Sequence, residues 1–291
     1  MSETAVAAPA FLDKLDASRV ASRVLATATA EVKNAALRAI AEAVVSGADR
    51  ILPANDLDLA NARENNVSLG LQDRLRLDET RLAGLAEAVL QVASLVDPVG
   101  QSVRGSTLEN GLKIAQVRVP FGVVGAIYEA RPNVTIDIAA LALKSGNAAV
   151  LRGGSAAENT NRVLVELLQE AIASVGLPAE SVQTIDEFGR EGARQLMRAR
   201  GYIDVLIPRG SADLINTVVA MSRSADSSRP VRVWCTCTST SPPTSTLRSA
   251  SCRTPRCRGP ACATRSRRCS CTNHPLPACC RQFSDACART A

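Results

Sequence analysis

Apolar residues return at spacings of three and four along the first third of the chain, from Ala21 to about Val96. This spacing is typical of amphipathic helices. Its clearest members are Leu37, Ile40, Ala41 and Val44. Three residues that disfavour helices interrupt it, namely Pro53, Gly70 and Pro98. The pattern therefore predicts three or more successive helices, which we interpret as scaffold.

From Leu112 onward, short apolar runs alternate with longer helical stretches. The runs predicted as strands are 112–119, 122–127, 148–151, 182–184 and 203–207. The predicted helices are 135–144, 158–175 and 190–200. Such alternation implies right-handed crossovers and a parallel sheet. The predicted fold class is therefore α/β, an open parallel sheet preceded by helices, with ligands beyond the carboxyl ends of the strands.

The composition changes abruptly after Ser222. All ten cysteines and the only histidine follow Trp234. From Ser224 onward there are eleven arginines, no lysine and two acids, so the +6 of the whole chain leaves residues 1–223 at −3. The tail shows neither helical nor alternating apolar order, and it is rich in Pro, Ser, Thr and Arg. We expect it to be disordered.

The body before this change is mildly acidic and free of cysteine. It gives no reason to expect a nucleic-acid or membrane partner. No apolar run approaches the roughly 20 residues of a membrane helix, and Met1–Ala10 lacks the basic and apolar regions of a secretory signal. We expect a cytoplasmic protein.

Three segments of the body stand where strands end. The first is Pro120–Thr135, in which Asn133 or Thr135 could cap a helix. The second is Lys144–Ser155, whose two glycines let the backbone approach a ligand and whose Arg152 could serve a ribose or phosphate. The third, Ile203–Ser211, precedes a helix whose free amides could receive an anion. Taken singly, each is better explained as an ordinary turn.

Together and in this order, the three segments resemble the gamma-glutamyl phosphate reductase family of the aldehyde dehydrogenase superfamily. Leu52–Ala62 and Leu71–Leu77 extend the resemblance, which spans roughly Ala21 to Ser222. It implies an aldehyde-dehydrogenase-like fold whose residues 12–222 hold the N-terminal helices and the dinucleotide-binding domain. Residues 223–291 would then stand in place of a missing catalytic domain.

The resemblance also implies an activity and its residues. It implies NADPH-dependent reduction of L-glutamate 5-phosphate to L-glutamate 5-semialdehyde and phosphate, in proline biosynthesis, by a homo-oligomer. A cysteine thiolate would attack the acyl phosphate, and hydride from the nicotinamide would reduce the thioester. Asn133 matches the asparagine that helps hold the oxyanion. The stretches that match the lining of the dinucleotide site are Arg152, Gly153, Gly154 and Ser155, and Pro208, Arg209, Gly210 and Ser211.

The chain departs from this family at the nucleophile, because no Val-Cys-Asn-Ala-x-Glu-Thr motif occurs in it. If residues 261–272 are back-translated and read two nucleotides later, permitted codons yield Val-Cys-Asn-Ala-Val-Glu-Thr. The same shift turns residues 228–239 into a match to another family motif. We therefore interpret the tail as out of frame, with the frame lost between Ser222 and Ser228, and expect the chain to be inactive.

Other interpretations remain open at this point. The tail could be a module that binds metal or nucleic acid, although Cys-x-Cys and adjacent cysteines are poor spacings for a metal site. The chain could be a non-catalytic cofactor-binding pseudoenzyme. A coenzyme-A-acylating aldehyde dehydrogenase is a further alternative, which Glu129–Thr135 argues against.

Overall fold

A computed structural model describes residues 9–129, 131–223 and 232–233 of the chain. Within these ranges, five helices precede the parallel sheet: α1 (Pro9–Thr27), α2 (Ala30–Ser46), α3 (Ala48–Glu64), α4 (Leu69–Leu75) and α5 (Glu79–Ser94). Buried Leu37, Ile40 and Val44 share one face of α2, which packs against α5 and a later helix, α7 (Glu158–Ser174). The predicted series of helices is therefore confirmed.

Pro53 does not end a helix as the sequence predicts, but lies inside α3. Its ring is exposed, whereas Ile51, Ala54 and Leu59 around it are buried. Burial of the face opposite the proline offsets the main-chain hydrogen bond that proline cannot make. Gly70 likewise lies inside α4.

A two-stranded antiparallel hairpin follows, made of β1 (Ser102–Thr107) and β2 (Lys113–Val117). Every residue of both strands is exposed. The sequence predicts the second strand but misses the first, because β1 has no apolar alternation to mark it.

The main sheet is parallel and has the order β5-β4-β3-β6-β7. Its strands are β3 (Val123–Tyr128), β4 (Ala148–Arg152), β5 (Val182–Thr184), β6 (Val205–Arg209) and β7 (Arg232–Val233). The intervening helices are α6 (Pro132–Lys144), α7, α8 (Gly189–Arg198) and α9 (Ala212–Arg223). All six residues of β3 are buried, as a central strand covered on both faces requires. The predicted α/β class is confirmed.

The chain moves from β3 outward to β4 and β5, and then returns to the other side of β3 to form β6. The end of β3 is therefore the point at which the strand order reverses. Crevices at such points are where open α/β sheets bind ligands.

Most of the tail predicted to be disordered lies outside the described residues. The exception is Arg232–Val233, which pairs in parallel with Val205 and Leu206 of β6. The expectation that the tail as a whole is disordered stays a prediction. Main-chain pairing at a free sheet edge requires no side-chain periodicity, so the composition could not reveal it. No helix in the described ranges is long and apolar enough to span a membrane.

Candidate functional site

The two segments expected to line a dinucleotide lie on either side of β3 at one edge of the sheet. Ile127 of β3 pairs with Arg152 at the end of β4 and with Pro208 near the end of β6. Because all three strands are parallel, their carboxyl ends meet at this edge. The structure thus brings Arg152–Ser155 and Pro208–Ser211 together around the end of β3.

Gly153 is held in place by a buried polar network. Its amide donates to Oδ1 of Asp186 at 2.7 Å, and Nδ2 of Asn161 donates to Oδ2 of the same carboxylate at 3.3 Å. A Cβ on Gly153 would lie 2.1 Å from Nδ2 of Asn161, so only glycine allows this approach. Gly154 has an ordinary extended backbone, and Ser155 begins a short 3-10 turn. Of the two glycines, Gly153 is thus the one whose contacts require glycine.

The same network continues beneath β3. The Tyr128 and Thr135 hydroxyls lie 2.6 Å apart, and Thr135 donates to Oδ1 of Asn161 at 2.9 Å. Burial raises the pKa of Tyr128 well above its ordinary value of 10.0, so the phenol stays neutral. Burial also raises the pKa of Asp186, against hydrogen bonds from Gly153 and Asn161 and the charge of Arg152. Asn161 and Asp186 carry no signal in the sequence, since neither belongs to a motif.

Arg152 presents a hydrogen-bond donor that the described residues leave unused. Its Nη1 donates to the carbonyl oxygen of Gly153, whereas its Nε is buried and has no hydrogen-bond partner among them. A buried N–H without a partner is costly. In its described part, the edge of the sheet thus holds one buried donor without a partner, in the region where open α/β sheets bind ligands.

Glu129 joins the third segment to the end of β3. Its carboxylate accepts from the Ser211 amide at 3.1 Å and from the Ser211 hydroxyl at 2.8 Å. A Cβ on Gly210 would lie 2.7 Å from Cδ of Glu129. The carboxylate thus accepts a hydrogen bond from the amide just before α9, the kind of position at which helices bind anions. The sequence gives Glu129 no role, because only the fold sets it against Ser211.

Asn133 is the second residue of α6, whose N-cap is Arg131 and whose first residue is Pro132. The expectation that Asn133 or Thr135 caps this helix is therefore wrong, because proline starts the helix earlier. Asn133 does not cap the helix, and it lines an open cavity of about 330 Å³.

Four arginines share this cavity with Asn133: Arg74, Arg76, Arg81 and Arg131. Burial lowers the pKa of Arg131, and the nearby positive charges of Arg74 and Arg209 lower it further. Several positive charges therefore face one space beside Asn133. Arg74 and Arg76 lie in a stretch that resembles the reductase family, but the sequence assigns them no chemistry, because α4 and α5 lie far from α6 along the chain.

No group of three or more His, Cys, Asp or Glu that could hold a metal ion occurs in the described part of the chain. The tail cysteines lie outside that part. The metal-binding interpretation of the tail therefore stays a prediction.

Comparisons with known proteins identify relatives of this chain. The model for "Aldehyde dehydrogenase family" matches residues 11–231. Gamma-glutamyl phosphate reductase of Leifsonia xyli is 66% identical over 222 residues, which cover 76% of this chain and 52% of the relative. The enzyme of that name from Clavibacter michiganensis is 64% identical over 208 residues, or 72% of this chain and 48% of the relative. The chain spans about half the length of the curated relatives it matches.

A solved structure agrees with these relatives. The crystal structure of gamma-glutamyl phosphate reductase from Thermotoga maritima has a TM-score of 0.72 and 40% identity, covering 77% of this chain and 52% of that one. A probable aldehyde dehydrogenase from Listeria monocytogenes, at 17% identity and a TM-score of 0.57, shares the fold. Because the family model matches more than half of the residues, the chain belongs to the aldehyde dehydrogenase family.

Proposed function

We propose that this chain is the N-terminal, cofactor-binding part of an enzyme that reduces L-glutamate 5-phosphate to L-glutamate 5-semialdehyde and phosphate, in proline biosynthesis, using NADPH. The observation that carries the proposal is the 66% identity to a relative named gamma-glutamyl phosphate reductase. The placement of Asn133 and the two loops around the end of β3 is consistent with it. Residues 12–222 are the proposed helical and dinucleotide-binding part, and 223–291 the proposed out-of-frame tail.

The residues at the sheet edge fit a dinucleotide. The unused Nε of Arg152 offers a buried donor, and Gly153 and Gly210 keep the main chain free of a Cβ where it passes closest to Asn161 and Glu129. When bound, the cofactor would supply the hydride. In this proposal, Arg152–Ser155 and Pro208–Ser211 orient it beside the end of β3.

Asn133 is proposed to donate its side-chain amide to the carbonyl oxygen of the substrate. Negative charge grows on that oxygen when a nucleophile adds to the carbonyl carbon, and a fixed donor stabilises this charge. Because Asn133 lies in the first turn of α6, the positive end of the helix dipole would act in the same direction.

The nucleophile is what the chain lacks. In the proposed reaction, a thiolate forms a bond to the acyl carbon, and the bond from that carbon to the phosphate oxygen breaks, which releases phosphate. No cysteine precedes Trp234, and the nucleophile motif emerges only when the tail is read in another frame. The chain as written is therefore proposed to bind cofactor without turnover, in the manner of a pseudoenzyme.

Cytoplasmic location and assembly into a homo-oligomer are further parts of this proposal. They are supported by the acidic, cysteine-free composition of residues 1–223 and by the resemblance to the reductase family.

The test compares the chain as written with a version in which the frame is restored after Ser222. NADP reduction is measured with glutamate semialdehyde and phosphate, and NADPH binding is measured by fluorescence. We expect both proteins to bind NADPH and only the restored one to turn over. Comparable turnover by both would refute the frame-shift interpretation, and no turnover by a folded restored protein would refute the proposed substrate.

A further inference from the structure

The cavity beside Asn133 has an excess of positive charge that fold stability does not explain. Arg81 is neutralised, since its Nη2 pairs with Asp73 at 3.0 Å. Among the described residues, the side chains of Arg74, Arg76 and Arg131, which line the same cavity, have no hydrogen bond or ion pair. The one carboxylate among the described residues that line the cavity, Asp73, is paired with Arg81, so three like charges remain uncompensated. Gathering like charges costs free energy, and an anionic ligand would offset it.

The segment that carries two of these arginines is firmly held. Arg81 donates to the carbonyl oxygens of Asp73 and Arg76, both at 2.6 Å. On the opposite side, Asn55 donates to the carbonyl of Leu75 at 2.9 Å and accepts from the amide of Leu77 at 2.8 Å.

Side-chain burial alternates along this segment. Leu75 and Leu77 are buried, whereas Arg74 and Arg76 between and before them are exposed. The backbone is thus fixed with its leucines in the core and its arginines toward solvent and the cavity. A fixed backbone lowers the entropy cost of ligand binding.

We propose that Arg74, Arg76 and Arg131 form an oxyanion-binding subsite next to Asn133, which holds an anionic end of the substrate. The proposal rests on the proposed function only for the identity of that substrate. An acyl phosphate of glutamate has two such ends, a phosphate and an α-carboxylate. Guanidinium groups recognise both through paired, charge-assisted hydrogen bonds.

The experiment titrates inorganic phosphate and, separately, L-glutamate into the full chain by calorimetry. The proteins are the wild type, Arg74→Gln, Arg131→Gln and the control Arg23→Gln. Arg23 is an exposed arginine near the end of α1. It lies at the opposite edge of the sheet, because its neighbour Leu25 lies close to Gly146, just before β4. Loss of one charged hydrogen-bonding partner should weaken binding at least about 10-fold.

Weaker binding of phosphate in Arg74→Gln and Arg131→Gln, but not in Arg23→Gln, would support the subsite and assign it to the phosphate. The same pattern with glutamate would support it and assign it to the carboxylate. Wild type that binds neither anion, or variants that bind as tightly as wild type, would overturn it.

Three further measurements serve as controls for this test. Arg74→Lys and Arg131→Lys keep the charge but lose the planar fork, so they should bind more tightly than the glutamine variants, and circular dichroism reports whether each variant is folded. NADPH binding by the same variants should be unchanged. Since anion binding is measured without turnover, failure of the frame-restored enzyme would leave its result intact.

Discussion

Gly153 is a position where neighbouring side chains leave no room for a Cβ. Asn161, whose amide would be 2.1 Å from that Cβ, is buried and hydrogen-bonded at both ends of its amide, to Thr135 and Asp186. It cannot swing away as a free surface side chain would. The sequence shows the two glycines, but it cannot show which of them Asn161 approaches.

Gly153→Ala should therefore destabilise the chain by about 1–3 kcal/mol, because Asn161 must give up its hydrogen bonds. Urea unfolding measures the change. Gly70→Ala is the matched control, since a Cβ there meets nothing within 4 Å and alanine favours helix α4 by up to about 1 kcal/mol. Equal stability changes in the two variants would contradict the packing described for Gly153.

Asp186 makes folding stability depend on pH. Burial raises the pKa of Asp186 above its ordinary value of 3.8, so the folded state holds a proton that the unfolded state releases. Its contribution is fully present below pH 3.8 and is lost as pH rises through the raised pKa. Relative to Asp186→Asn, which does not titrate, the wild type should lose stability as pH rises through this window. Urea unfolding at a series of pH values tests this, and a constant or increasing difference would contradict it.

Among the helices and strands, α3 has the widest influence on the site. Asn55 on this helix binds Leu75, Leu77 and the hydroxyl of Thr160 on α7, while Asp58, one turn later, accepts from the amide and hydroxyl of Thr160. One helix thus fixes both the segment that carries Arg74 and Arg76 and the start of α7.

Asn55→Ala should cost at least about 2 kcal/mol, because it leaves the buried main-chain groups of Leu75 and Leu77 without partners. It should also weaken oxyanion binding by loosening Arg74 and Arg76. The control is Asn65→Ala near the end of the same helix, where the lost hydrogen bond is exposed and the change should stay within about 0.5 kcal/mol. Thermal unfolding compares the two, and similar losses in both would count against the role of Asn55.

The predictability of these elements follows their burial. The strands β3, β4 and β6 are mainly apolar, and they and the short strand β5 could be predicted within about two residues. The helices α7 and α8 follow from their apolar spacing. The exposed strand β1 gave no signal. The helix α6 begins three residues before the predicted start because proline favours its first position. The cavity lined by Arg74, Arg76, Arg81 and Arg131 could not be predicted from the sequence, since no local pattern joins Arg74 to Arg131.

Among the described residues, the central strand of the main sheet is buried throughout, whereas the hairpin is exposed throughout. Amides of β3, which is buried throughout, should exchange hydrogen far more slowly than those of β1 and β2, which are exposed throughout. Hydrogen exchange read by mass spectrometry tests this at low protein concentration. Hairpin amides as protected as those of β3 would contradict it, and protection that grows with concentration would indicate self-association through the hairpin.

The hydrogen bond between Asn55 and Thr160 spans 105 residues of sequence. This separation limits the order in which parts of the site can fold during synthesis. At roughly 5–20 residues per second, a ribosome needs about 5–20 s to add Thr160 after Asn55. During that interval Asn55 can already form its hydrogen bonds with Leu75 and Leu77, which follow it by about 20 residues. The contacts of α3 with α7 cannot form yet, because α7 has not been synthesised. The segment that carries Arg74 and Arg76 is thus the first part of the site that the emerging chain can form. The edge of the sheet with Arg152–Ser155 and Pro208–Ser211 is completed only with β6.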